Sequence, residues 1–310
     1  QNTAIGRNAM LNTTTGSYNN AIGAGALYQN TTGAENNAMG WAALYMNTTG
    51  AANTASGHYV LAANTTGCRN TAMGWKAMCS STTGECNTAV ARDALGCNTT
   101  GSQNVAMGYQ AAHLNTTASN NVAFGVQALY YNKTGTRNTA IGNYAAHKTC
   151  NANDVTAVGN EALVCNTTGA KNTAVGAFSA KLNTSGVENT AVGYVSLCNN
   201  TTGSYNVAVG SEALSCNTSA NRNTAVGRTA LFKTTTGSQN SAVGMYAGLC
   251  NQTGSDNVSI GYLANRTAAT VSNNTAVGTC ALCNNTTGSN TALGFSALFS
   301  ATTGNYNTSL

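Results

Sequence analysis

Small and apolar residues return along this chain in one fixed rhythm. The string N-T-A-x-G places its glycine at Gly6, Gly23, Gly40, Gly57 and Gly74. Ala91 stands in once, and the same step of 17 continues from Gly108 to Gly278. The last step, to Gly294, is 16, because one residue is missing between Gly288 and Asn290. The consensus is N-T-A-V-G-x-x-A-L-x-x-N-T-T-G-x-x, whose positions are called places 1 to 17 below. Helix-pair repeats need about 33 residues or more per unit, so a helical repeat does not fit. Two glycines per 17 residues, with Asn and Thr between, also make poor helix. The pattern predicts an all-β fold: a parallel β-solenoid (a β-roll) of about 18 coils, one domain over 1–310, with two short strands and two corners per coil.

Strand side chains alternate between faces, so places 2 and 4 share one face. Place 4 reads Ile5, Ile22, Met39, Met73, Val90, Met107, Phe124 and Ile141, with Ser56 the polar exception. Its bulk predicts that places 2 and 4 point inward, opposed by the leucines of place 9 such as Leu27, Leu44 and Leu61. The alanine of place 3 is then predicted to point outward. A stripe of alanine would let rods pack closely, as a trimer or a helical filament. The asparagine of place 1 (Asn19, Asn36, Asn53, Asn70) is predicted to form an amide ladder, because identical coils bring like residues beside one another. Place 17 reads Arg137, Asp154, Lys171, Glu188 over successive coils, which would set each charge beside its opposite.

Composition narrows the reading. Charged residues make up 7%, against roughly 25% in an ordinary soluble domain. The 13 Lys and Arg are scattered, which predicts no nucleic-acid partner. No apolar run approaches the ~20 residues of a membrane helix, so no membrane insertion is predicted. Gln1 and Leu310 both fall inside a repeat, which suggests a fragment or mature form of a longer fibre protein. His58, His113 and His147 lie in different coils and the acids are dispersed, so the chain is read as a non-enzyme without cofactor or metal site.

Two residue sets carry candidate chemistry. The second corner, N-T-T-G, supplies sequons at Asn30, Asn47, Asn64, Asn98, Asn115, Asn132, Asn166, Asn183, Asn200, Asn217, Asn251 and Asn285. At one place per coil they predict a row of glycans along one edge, or simply good turn chemistry. Further sequons fall at Asn12, Asn199, Asn257, Asn265, Asn273, Asn284 and Asn307. Of the 11 cysteines, neighbouring-coil pairs Cys68–Cys86, Cys79–Cys97, Cys150–Cys165 and Cys198–Cys216 are predicted as disulfide staples, or else as buried thiols. Cys280–Cys283 is a further possible pair and Cys250 is left over. Staples would place the chain in an oxidising, extracellular or cell-surface setting. Bulky residues at places 6 and 7, among them Trp41, Tyr59, Trp75 and Tyr109, could bind carbohydrate on a host surface, pack a neighbouring rod, or cover a corner.

The strings N-T-A-I-G-N-Y-A-A (138–146), N-V-A-V-G-S-E-A-L (206–214) and N-T-A-L-G-F-S-A-L-F-S-A-T-T-G (290–304) resemble the head repeat of trimeric autotransporter adhesins. They also resemble the repeat of bacterial and phage tail-fibre proteins. The resemblance implies an adhesive or fibrous surface role and a homotrimer. A receptor-binding fibre shaft and an ice-binding solenoid are the alternatives. Ice binding is disfavoured here, because the T-T pair is placed at a corner.

Overall fold

The computed structural model describes residues 1–310 and contains no helix. The chain is a parallel β-solenoid of about 18 coils with 19 short strands. Its coils fall into two units, Gln1–Asp154 and Val155–Leu310. Within each unit, residues one repeat apart pair in parallel register. Asn37 lies beside Thr54 and Ala38 beside Ala55 in the first; Ala157 lies beside Ala174 and Val158 beside Val175 in the second. The 16-residue step is absorbed outside the strands, so Ala276 still faces Ala292.

Each coil contributes one short strand, mostly of three residues, such as Thr71–Met73 or Thr173–Val175, where the sequence predicts two. The predicted second strand, around place 9, is a turn. Leucines there have positive φ, as at Leu27 (51°), Leu44 (52°) and Leu61 (49°). Places 7 and 17 do the same, as at Tyr59 (58°) and Arg69 (58°). Left-handed backbone costs about 1–2 kcal/mol for an ordinary residue. Backbone hydrogen bonds between coils offset it. Leu27 N–H donates to Ala43 O at 3.0 Å in the next coil, and Tyr59 N–H donates to Trp41 O at 3.0 Å in the previous one.

The strand faces are the reverse of the sequence expectation. Alanine at place 3 is buried in every coil after the first, as at Ala38, Ala55, Ala157 and Ala174. Places 2 and 4 lie outside; Phe124 keeps 52% of its surface exposed and Ile141 40%. The reason is the narrowness of the coil. One cross-section is filled by Ala276, Ala281 and Leu282 with their neighbours. A 17-residue coil holds one leucine column and two methyl columns. A second column of Val, Met or Phe has no room, because a packed interior has no spare volume.

Candidate functional site

Two columns of asparagine complete the interior. At place 1, Asn53 Nδ2 donates to Asn36 Oδ1 at 3.1 Å and to Gly67 O at 2.8 Å. Its Oδ1 in turn accepts from Asn70 N–H at 2.9 Å and Asn70 Nδ2 at 3.2 Å. This is the predicted amide ladder. The second column is the sequon asparagine of place 12. Asn47 Nδ2 donates to Asn30 Oδ1 at 2.8 Å and to Gly50 O at 2.9 Å. Asn64 repeats the pattern onto Asn47 at 2.7 Å.

The expected outer row of glycans is therefore corrected. Asn30, Asn47, Asn64, Asn98, Asn115, Asn132, Asn166, Asn183, Asn200, Asn217, Asn251 and Asn285 are all at most 2% exposed. A sugar on Nδ2 has no path outward, and attachment would remove one of the amide's two donor hydrogens. Buried amides need those partners. Among the other sequons, Asn12, Asn199 and Asn273 face solvent, whereas Asn257 and Asn265 are buried.

The place-12 ladder breaks wherever the repeat departs from asparagine. Ser81, Thr149, Thr234 and Ala268 are among the residues at that place, and the preceding Asn64, Asn132, Asn217 and Asn251 each keep an unpartnered Oδ1. Thr234 Oγ1 is unpartnered as well. Thr234→Asn is expected to restore donation to Asn217 Oδ1 and Gly237 O, and to stabilise the protein by about 1 kcal/mol. The urea midpoint measures it; an unchanged or lower midpoint contradicts it. The missing residue near Gly288 leaves a similar mark: Asn274 Nδ2 has no partner.

All eleven cysteines are free thiols in the structure. Cys68, Cys86, Cys79, Cys97, Cys198 and Cys216 form no staples, and neither Cys280–Cys283 nor Cys250 is bonded. Cys150 and Cys165 are likewise unbonded and fall in different units. Coil stacking does make neighbours of some pairs. Burial pushes the Cys97 thiol up, with Cys79 and Asp93 adding to it. Burial also pushes up Cys198, and Cys216 is among the weaker contributors. Three of the four predicted inter-coil pairs stand at successive places of the repeat (10 and 11, or 16 and 17) and Cys150–Cys165 at places 13 and 11, so none of the four joins the same place in adjacent coils.

Burial raises Cys283 too, and that residue is 2% exposed, whereas Cys86 is open to solvent. Alkylation requires the thiolate. Iodoacetamide at neutral pH is expected to modify Cys86 on the order of tenfold faster than Cys283. The Cys283 rate should still be rising above pH 9, because its raised pKa delays thiolate formation. Peptide mass spectrometry over a time course measures both; equal rates would contradict the assignment.

Outside, the charges of place 17 pair as predicted within each unit. Arg137 holds Asp154 through Nε at 2.6 Å and Nη2 at 3.0 Å, and Lys171 Nζ meets Glu188 at 3.3 Å. Aromatic columns run along the corners. Tyr28 stacks on Tyr45 with centroids 4.9 Å apart, and Trp41 stacks on His58 at 4.6 Å. Tyr130 is sandwiched between His113 and His147 at 5.5 and 5.3 Å. No three His, Cys, Asp or Glu side chains converge as metal ligands would.

The outer face of the strands carries exposed apolar side chains in each unit. In the first, Met73, Val105, Val122, Phe124 and Ile141 stand exposed on the strands; in the second, Val175, Val243, Ile260 and Leu293 do. The face was missed in the sequence because alternation alone does not say which set points in. The sequence matches no protein-family model and no curated relative.

Proposed function

We propose that the chain is a non-enzymatic structural and adhesive fibre protein of the cell exterior. Its solenoids associate with further copies of the chain through the outer face of the strands. The carrying observation is the row of exposed Val, Ile, Met and Phe at place 4. Contiguous apolar surface of this kind marks interaction sites. A second copy has the same coil spacing, so its side chains mesh with this row along its length. This replaces the outward alanine stripe as the contact surface. A trimer or a helical filament both satisfy it. The fibre carries its sugar at the solvent-facing sequons Asn12, Asn199 and Asn273, and a phage or viral fibre shaft is a variant of the same reading.

The test is sedimentation and negative-stain imaging of the full chain beside the double variant Ile141→Lys, Val243→Lys. Oligomers or filaments are expected for the parent chain, and monomers for the variant. A monomeric parent at micromolar concentration refutes the proposal.

One observation favours a second reading. With the faces reversed, Thr156, Thr173 and Thr190 stand on the outer face beside Val158, Val175 and Val192. That makes a regular Thr-x-Val lattice, the kind of surface an ice-binding solenoid would present. Bulky Met73, Met107 and Phe124 interrupt it in the first unit. Thermal hysteresis by the chain would favour this reading; its absence removes it.

A further inference from the structure

The aromatic column at place 6 of the first unit stops abruptly. Trp41 is stacked on His58, one coil onward, and Tyr59 meets it edge-on at 4.4 Å. The coil before Trp41 carries Ala24 at the same place, and the next coil back carries Arg7. The indole face directed at Ala24 therefore has no stacking partner. Arg7 and Trp41 are two coils apart, which leaves a gap of roughly 9–10 Å at the usual strand spacing. Place 7 deepens the gap. It reads Gly25 here, where other coils carry Tyr59, Lys76 or Gln110. A Cβ added at Gly25 would stand 3.3 Å from the Tyr45 ring. The result is a half-open cavity of about 390 Å³, walled by Arg7, Asn8, Tyr28, Trp41, Tyr45 and Tyr59.

We propose that this notch binds a pyranose sugar bearing a carboxylate. An apolar ring face stacks on the uncovered indole, and ring hydroxyls meet Asn8 and the tyrosine hydroxyls. The carboxylate pairs with the Arg7 guanidinium, whose planar fork matches it. Small-molecule sites combine aromatic walls with a few placed polar groups in this way. The open side lets a longer glycan continue into solvent. The notch gives the adhesive part of the fibre reading a substrate class and a place, and rests on that reading only for its biological meaning.

The test is isothermal titration calorimetry of the full chain with a glucuronic acid-containing disaccharide and with its neutral glucose counterpart. Saturable binding of the acidic sugar is expected, with Kd on the order of 1 mM for so shallow a site. Gly25→Gln fills the notch with the side chain that Gln110 and Gln127 carry at the same place, where φ is 54° and 50°. It is expected to fold normally and to weaken binding at least about tenfold, as is Trp41→Ala. Trp75→Phe should leave binding unchanged, and Arg7→Gln should abolish the preference for the acid. Absence of saturation, equal binding of the neutral sugar, unchanged affinity in Gly25→Gln, or tighter binding of an indole carboxylate would each overturn the proposal. Ile141→Lys, Val243→Lys, which tests assembly, should bind the sugar as the parent does, so the two readings fail separately.

Discussion

Asn53→Leu is expected to lower stability by about 3 kcal/mol, one of the largest losses available from a single side chain in this protein. The substitution removes both donations from Asn53 Nδ2 and both acceptances at its Oδ1. Gly67 O keeps a second donor in Asn64 Nδ2 at 3.0 Å, and Asn36 Oδ1 keeps the Asn53 backbone N–H at 3.0 Å. The Asn70 backbone N–H, however, loses its partner inside the coil. An orphaned buried donor costs about 1–3 kcal/mol, and the branched leucine adds strain at a site shaped for a flat amide. Asn53→Asp separates charge from shape. It keeps an acceptor for Asn70 but offers oxygen where Gly67 O and Asn36 Oδ1 need a donor. Only the protonated acid can donate there, so the folded-state pKa lies above the unfolded value of about 3.9. The variant is then closest to the parent below that pH and falls away as pH rises through the raised folded-state value. Urea midpoints at pH 3 and pH 7, each measured against the parent, test this. A larger deficit at pH 3 would contradict it.

The asparagines explain how a chain with 7% charged residues and a very thin core holds one register. A one-residue slip along the strand would exchange every inner and outer side chain. It would also uncouple each amide from the coil before it. Methyl and leucine columns tolerate sliding far better than amides that donate at two defined points. The ladders set the register and the apolar columns add burial.

This division also shows what the sequence could and could not disclose. The period, the parallel stacking and the Asn36–Asn53–Asn70 ladder follow from repetition alone, because stacking like on like is the simplest use of 17-residue copies. The inner face did not follow. Val, Ile, Met and Phe at place 4 are the larger apolar residues, and size suggested the core. Variation in size was the better signal. A tight interior accepts one volume per layer, and place 3 is Ala21, Ala38, Ala55, Ala72 and onward, with Ser259 a near-isosteric departure. Place 4 ranges from Ser56 to Phe124, which only an open surface accommodates. The sequons misled for a related reason. Asn47-Thr48-Thr49 satisfies a glycosylation rule and a ladder rule with the same letters. Only the burial of the Asn47 side chain separates them, with Thr49 turned outward instead. The notch at Gly25 was invisible because it consists of departures from the repeat, Ala24 and Gly25 among them, whose meaning depends on which places lie side by side.

Gly40→Ala and Ala91→Gly are expected to move stability in opposite directions at the same place of the repeat. Gly40 has φ of 132°, a region L side chains rarely occupy, and an added Cβ would stand 2.7 Å from the Gly57 carbonyl carbon and closer still to its oxygen. Backbone atoms of the next coil cannot step aside, because Gly57 N–H is tied to Met39 O at 2.8 Å. Gly40→Ala should therefore lose about 2–4 kcal/mol. Ala91 already bears that burden, at φ of 109° against 119° to 135° for the glycines of its place. Removing its methyl relieves the strained φ, and the added flexibility of the unfolded chain takes back part of the gain. A net stabilisation of about 1 kcal/mol is expected. Denaturation midpoints of the two variants and the parent decide the matter. Equal midpoints for all three would mean that the corner yields to a side chain, and that glycine there answers to something other than the closeness of successive coils.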